Sequence, residues 1–121
     1  MGKSVNDSVL DGASNVIATA TRMTLCSAEP ANFAGIAAVA LADAVMAGGD
    51  YTNANGDTSG RKVTVAAKAA QAVDATGTGN HIALDDGTTW LYVTTAADVA
   101  VTSGGTVDFP AWDIEFADPT A

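Results

Sequence analysis

From residue 5 onward the apolar positions Val5, Val9, Ala13, Val16, Ile17 and Ala20 recur at intervals of three and four, the period of a helix with one buried stripe. Ser4-Val-Asn-Asp7 ahead of them resembles a capping box with aspartate in place of the usual glutamate, so the spacing predicts an amphipathic helix over about residues 4–19. Gly12 weakens that helix by roughly 1 kcal/mol relative to alanine, which suggests a close neighbour there. At Arg22 the period changes to two. Met23 and Leu25 take one side and Thr24 and Cys26 the other, a strand over 22–27 that Glu29-Pro30 ends. The next segment, ANFAGIAAVALADAVMAGGD, fits two patterns: its alanines favour helix, while Val39, Leu41 and Val45 fall at odd positions as in a strand. Periodicity leaves residues 34–47 open between helical and extended.

Asp50 to Gly60 is dense in turn formers and reads as a polar loop, after which Arg61 to Ala66 alternates with Val63 and Val65 inward. Asp74 to Asn80 is a second turn-rich stretch, leading into HIALDDGTTWLYVTT. With Asp86-Gly87 at the centre of a two-residue hairpin turn, Leu84 faces Thr89, Ala83 faces Trp90, Ile82 faces Leu91 and His81 faces Tyr92. Ile82, Leu84, Leu91 and Val93 then form an aliphatic side, and His81, Ala83, Trp90 and Tyr92 the other. Val99 and Val101, then Val107 and Phe109, alternate on either side of a turn at Ser103-Gly-Gly105. After Pro110 the apolar phase slips to Trp112, Ile114 and Phe116, which predicts a bulge at Pro110-Ala111 and a kinked final strand or strand pair.

Several short strands behind one leading helix predict a mainly β fold: an antiparallel β-sandwich or small barrel with one N-terminal amphipathic helix, residues 1–121 forming a single domain. The chain is 48% hydrophobic but only 6% aromatic, and much of its apolar content is alanine, so its core should be thin and suited to completion against a neighbour. Fourteen acidic residues against five basic ones give a net charge of −9. Lys3, Arg22, Arg61, Lys62 and Lys68 form no basic stripe, which argues against nucleic acid and acidic membranes as partners. Cys26 stands alone, so no internal disulfide is expected. MGKSVNDSVL lacks an apolar secretory core and no apolar run is long enough to span a membrane, so synthesis and folding in a cytoplasm are expected. The sequon Asn6-Asp7-Ser8 then reads as an ordinary helix start.

The candidate chemistry is sparse. His81 has no second histidine and no nucleophile elbow nearby in sequence, and surface histidine is the preferred reading over a Ser/His or Cys26/His81 mechanism. Asp85 and Asp86 belong to an exposed turn, and Asp113 and Glu115 to the solvated side opposite Trp112, Ile114 and Phe116, so neither pair suits glycoside hydrolysis. Asn53-Ala-Asn-Gly-Asp57 imitates part of a calcium loop without its first aspartate or its closing glutamate in register. Gly77-Thr-Gly79 is too short for a dinucleotide fingerprint, and no Cys/His set fits zinc. No catalytic residue, metal or cofactor is assigned.

Three stretches in order, SVNDSVLDGASNVIATATRMTL, DTSGRKVTVAA and HIALDDGTTWLYVTT followed by VTSGGTVDFPAWDIEFADPT, resemble a family of small structural proteins of tailed bacteriophages. The family's strand-turn-strand motif corresponds to Ile82 through Tyr92, and its closing G-x-T-V-x-F-P-A motif to Val101 through Ala111; the alanine-rich 34–47 stretch departs from the pattern. The resemblance implies a virion component rather than an enzyme, most simply a capsid decoration or cement protein on the outer head surface. The alternatives are a tail-tip or fibre-associated subunit and a small carbohydrate-binding β-sandwich. Its partners would be the major capsid protein and copies of itself, as a homo-oligomer on the particle, and the candidate contact residues are Arg61, Lys62, Trp90 and Tyr92.

Overall fold

The computed structural model describes residues 5–118. Its first element, α1 (Asp7–Ile17), is capped by Asn6, whose Oδ1 accepts the Ser8 N–H at 2.9 Å; the expected cap Ser4 lies outside the described residues. The buried side of α1 also differs from the predicted stripe. Ser14 and Ile17 are buried with Leu10 half-covered, whereas Val9 and Val16 face outward at 64% and 56% exposure. A rotation of about one residue accounts for this: Asp11 reaches the Arg61 Nε at 2.9 Å, and docking on that ion pair turns the valines away.

The remaining elements make the fold mainly β, with antiparallel sheets. They are β1 (Arg22–Cys26), α2 (Phe33–Val39), β2 (Ala40–Val45), β3 (Tyr51–Asn55), β4 (Arg61–Val65), β5 (Lys68–Ala72), β6 (Gly77–Asp85), β7 (Trp90–Val101), β8 (Thr106–Phe109) and β9 (Trp112–Phe116). One sheet has the order β2-β1-β6-β7, a second β3-β4-β9, and a third pairs β5 with β8. The main core lies between the four-stranded sheet, which contributes Met23, Leu25 and Leu84, and the other two, which contribute Val63, Ile114 and Phe109. Fully burying such side chains stabilises by about 1.5–3 kcal/mol each. Ala20, Ala42 and Ala44 share the same cluster and contribute less. On the opposite side of the four-stranded sheet a small cluster of Cys26, Ile36 and Ala83 is closed by Phe33, Val39 and Val93, so α2 covers that side.

The alanine-rich segment divides between the two patterns that its sequence allowed. Asn32 Oδ1 accepts the Gly35 N–H at 2.8 Å and starts α2, and the chain extends from Ala40. In β2 Leu41, Ala42 and Ala44 are buried while Val45 is 83% exposed, so two small residues take inward positions beside one leucine; Ala42 bridges to Val73, and β2 and β5 lie in contact. The expected polar loop at 50–60 begins with β3, which pairs along β4 from Tyr51↔Val65 to Asn55↔Arg61. The phase slip at Pro110-Ala111 separates β8 from β9, which belong to different sheets: the strand-pair alternative.

The hairpin register differs from the one expected. Asp85 pairs with Trp90, Leu84 with Tyr92, Ala83 with Val93 and Ile82 with Thr94, with Leu91 bulged out of the ladder. The turn is Asp86 to Thr89, closed by Asp86 N–H donating to the Thr89 carbonyl at 3.1 Å. Asp86 Oδ1 gathers the N–H groups of Thr88 and Thr89, which a two-residue turn would not present to it. The bulge puts Trp90 and Tyr92 on opposite sides of the sheet, so the expected ring face is not formed.

Two glycines separate packing from propensity. A Cβ at Gly79 would lie 2.5 Å from Leu25 Cδ1 and Cγ in the core, so Gly79→Ala should destabilise by about 1–3 kcal/mol through overpacking. A Cβ at Gly12 meets nothing within 4 Å, against the close neighbour expected, so Gly12→Ala should stabilise by about 1 kcal/mol. Urea unfolding of both variants checks the pair; equal and small effects would refute this account of the core.

Candidate functional site

Register places four side chains in one row at the hairpin end of the four-stranded sheet. Arg22 lies opposite both Val45 and Asp85, and Asp85 lies opposite Trp90. Opposed residues project to the same side, so the row crosses all four strands with an ion pair at its centre and apolar groups at its ends. Asp85 has no exposure at all, which corrects the expectation of an exposed turn aspartate. Its Oδ2 accepts from Arg22 Nε at 3.0 Å and its Oδ1 from Gly87 N–H at 3.0 Å. A buried carboxylate persists only with such partners. Beside the row a cleft of about 310 Å³ is lined by Arg22, Phe33, Asp43, Val45, Asp85 and Gly87. Asp43 is exposed, Arg22 and Phe33 half-buried, and Trp90 at the far end of the row is 44% exposed. Among the described residues the one hydrogen bond of the Arg22 side chain is from Nε.

The four residues singled out in the sequence do not form one surface. Arg61 Nε holds Asp11 and its Nη1 donates to Asn55 Oδ1 at 2.8 Å, tying α1 to β3 and β4. Lys62 Nζ lies 2.8 Å from Asp57 and 3.2 Å from Asp113. Both cations are mostly covered and engaged within the chain. Tyr92 packs into the main core and lies against Trp112, ring centroids 6.0 Å apart and tilted by 33°. Trp90 alone of the four remains as an outward apolar group. Sequence reasoning missed Arg22, Asp43, Val45 and Asp85. The available signal was an arginine opening one apolar strand and an aspartate closing another.

The reactive groups are held quiet. Cys26 and His81 are register partners on β1 and β6, yet the thiol is completely buried and desolvation pushes it up to about 11, opposite to an activated nucleophile. The thiol sits 3.7 Å from the Thr24 carbonyl, and His81 Nδ1 lies 2.6 Å from Asn80 Oδ1. In the calcium-like stretch Asn53 Nδ2 donates to Asn15 Oδ1, while the Asn55 and Asp57 side-chain oxygens accept from Arg61 and Lys62, so these side chains act as internal braces. Among the described residues no group of three or more His, Cys, Asp or Glu side chains is placed to hold a metal ion, and no helix is long and apolar enough to cross a membrane. Glu115 is an exposed brace whose Oε1 accepts the Thr58 N–H at 2.9 Å. A second cleft, about 190 Å³ between β7 and β8, is walled by Leu25, Ile82, Val99, Val107 and Phe109; its acid, Asp108, accepts the Ala70 N–H.

No protein-family model, curated protein or solved structure matches the chain.

Two predictions follow from these bonds. Arg22→Ala leaves the Asp85 carboxylate buried without its counter-ion and should cost about 2–4 kcal/mol in urea unfolding; a loss under about 0.5 kcal/mol, as for an exposed pair, would refute the role given to it. Asp113 is held below the usual carboxylate range by the Thr64 hydroxyl and then by Lys62, Asp50 by the Ala47 N–H and then by Lys68, and Asp86 by the N–H groups of Thr88 and Thr89. A carboxyl depressed on folding contributes fully above its unfolded value near about 3.9, and that contribution disappears as pH falls through the folded value. Stability should therefore fall with acid between about pH 5 and 2, and less steeply in Asp113→Asn, as read from urea midpoints across that range.

Proposed function

We propose that this protein is a structural subunit of a tailed-phage virion, a decoration or cement protein on the outer surface of the head. The observation that carries the reading is that Val9, Val16, Val45 and Trp90 point outward, each 44% exposed or more, on a small domain with an alanine-rich core. Apolar side chains of this size left outside a small core are available for burial against neighbours. The charge distribution agrees with a particle exterior. Arg22, Arg61, Lys62 and Lys68 each hold an aspartate of the same chain, so the remaining acids of a −9 protein go uncompensated, which keeps free copies apart and soluble. The motif resemblance over Ile82–Tyr92 and Val101–Ala111 points to the same class.

The test is copy number. Mass-spectrometric quantification in separated heads and tails should find on the order of hundreds of copies per head, as a repeating shell requires. A few copies confined to tails would replace this reading with a tail-tip or fibre adaptor. A polypeptide missing from particles that binds glycans would replace it with a carbohydrate-binding module.

A further inference from the structure

We propose that the cleft beside the Val45–Arg22–Asp85–Trp90 row docks a protein partner through one lysine or arginine side chain, with apolar neighbours of that residue covering Val45 and Trp90. That the partner is a shell protein rests on the role proposed above; the docking chemistry does not.

Three observations converge on it. Two apolar groups of the row stand uncovered: Val45, which lines the cleft beside Phe33, is 83% exposed, and Trp90, the register partner of Asp85, is 44% exposed. Its charge favours a cation, because the Arg22 charge is already neutralised by Asp85 at 3.0 Å while Asp43 stands exposed with no cation within ion-pair distance among the described residues. A carboxylate or phosphate entering to meet the Arg22 Nη groups would approach two aspartates in an acidic protein. Lastly, a second copy is a poor donor of that cation. Each Lys and Arg among the described residues already holds an aspartate of its own chain, and two copies bring like charge together. A foreign basic residue therefore fits best, its aliphatic stem over Phe33 and Val45 and its charge against Asp43. Val45 and Trp90 stand three strand spacings apart, about 14 Å, a span that about four or five extended residues of a partner cover.

The experiment titrates the ¹⁵N-labelled protein with acetyl-Val-Ala-Arg-Ala-Val-amide and, separately, acetyl-Val-Ala-Glu-Ala-Val-amide, in which the two valines and the central residue share one side of an extended chain. The arginine peptide should shift the amides of Arg22, Asp43, Ala44, Val45 and Gly87 saturably, and the glutamate peptide should not. Asp43→Asn and Val45→Ser, both at exposed positions where folding is undisturbed, should each weaken binding by about fivefold to tenfold, while Val99→Ser at the other end of β7 leaves it unchanged. Equal shifts with both peptides, no shift with either, or unchanged binding by Asp43→Asn would overturn the proposal. Co-sedimentation with heads lacking this protein separates the two readings. If the arginine peptide binds at the cleft but the wild-type protein does not sediment with heads, the docking chemistry stands and the virion role falls. If the protein sediments and the peptides leave these amides unmoved, the virion role stands and the cleft is not its contact.

Discussion

The burial of Asp85 is the constraint from which the hairpin, the row beside it and the separation of the aromatic rings all follow. A carboxylate with no exposure must have every nearby donor aimed at it. Arg22 comes from the neighbouring strand, Gly87 turns its N–H back, and the Asp85 carbonyl accepts the Thr21 N–H at 2.8 Å, fastening the residue that leads into β1 to the same point. Once Asp85 is fixed opposite Trp90, the turn must take four residues. Leu91 must then bulge if Tyr92 is to meet Leu84 and Trp112 in the core. The same donors fix β1 against β6 in register from Arg22↔Asp85 to Cys26↔His81. One buried charge thereby sets both the pairing and the outward direction of Trp90.

Those features of the fold that rest on apolar period were legible in the sequence, and those that rest on polar contacts were not. The alternation of Met23 and Leu25, of Val63 and Val65, and of Trp112, Ile114 and Phe116 identifies strands because each has one apolar side to bury. β3 and β5, with sequences YTNAN and KAAQA, carry almost no such signal, because β3 is an edge strand and β5 belongs to a two-stranded pair. The hairpin failed for a different reason. Asp-Gly is a strong signal for a two-residue turn, but here the aspartate preceding it needs a counter-ion 63 residues away, and no local rule contains that partner. The helix stripe failed likewise: Val9 and Val16 keep helical spacing with Val5 and Ala13, yet Asp11 and Arg61 decide which side meets the sheet.

The candidate site was largely hidden for the same physical reason. Arg61 and Lys62 read as a basic edge open to a partner, but in an acidic protein scarce cations are the ones most strongly drawn to aspartates of the same chain. Apart from the Arg22–Asp85 pair, whose carboxylate is fully buried, these pairs are partly solvated and contribute about 0–1 kcal/mol each, so their main effect is geometric. Arg61 orients α1, Lys62 holds the turn before β4 against β9, and Lys68 draws β5 toward the 3-10 turn Gly48–Asp50. Surface left without such a brace is where contact with another molecule costs least.

This division of labour explains why apolar exposure and negative charge coexist in one small chain. Outward valines and a tryptophan would promote uncontrolled association if the surface around them were neutral. With each described cation held by an aspartate of the same chain, a free copy presents further acids around its apolar positions, and like-charge repulsion opposes contact between copies. A partner that supplies positive charge reverses that sign locally, after which burial of Val45 and Trp90 adds to the attraction instead of being blocked by it. If the cleft docks a basic side chain as proposed, net charge and uncovered apolar area would act as one selective device: charge alone would give repulsion without attraction, apolar area alone attraction without selection, and together they would favour a basic partner.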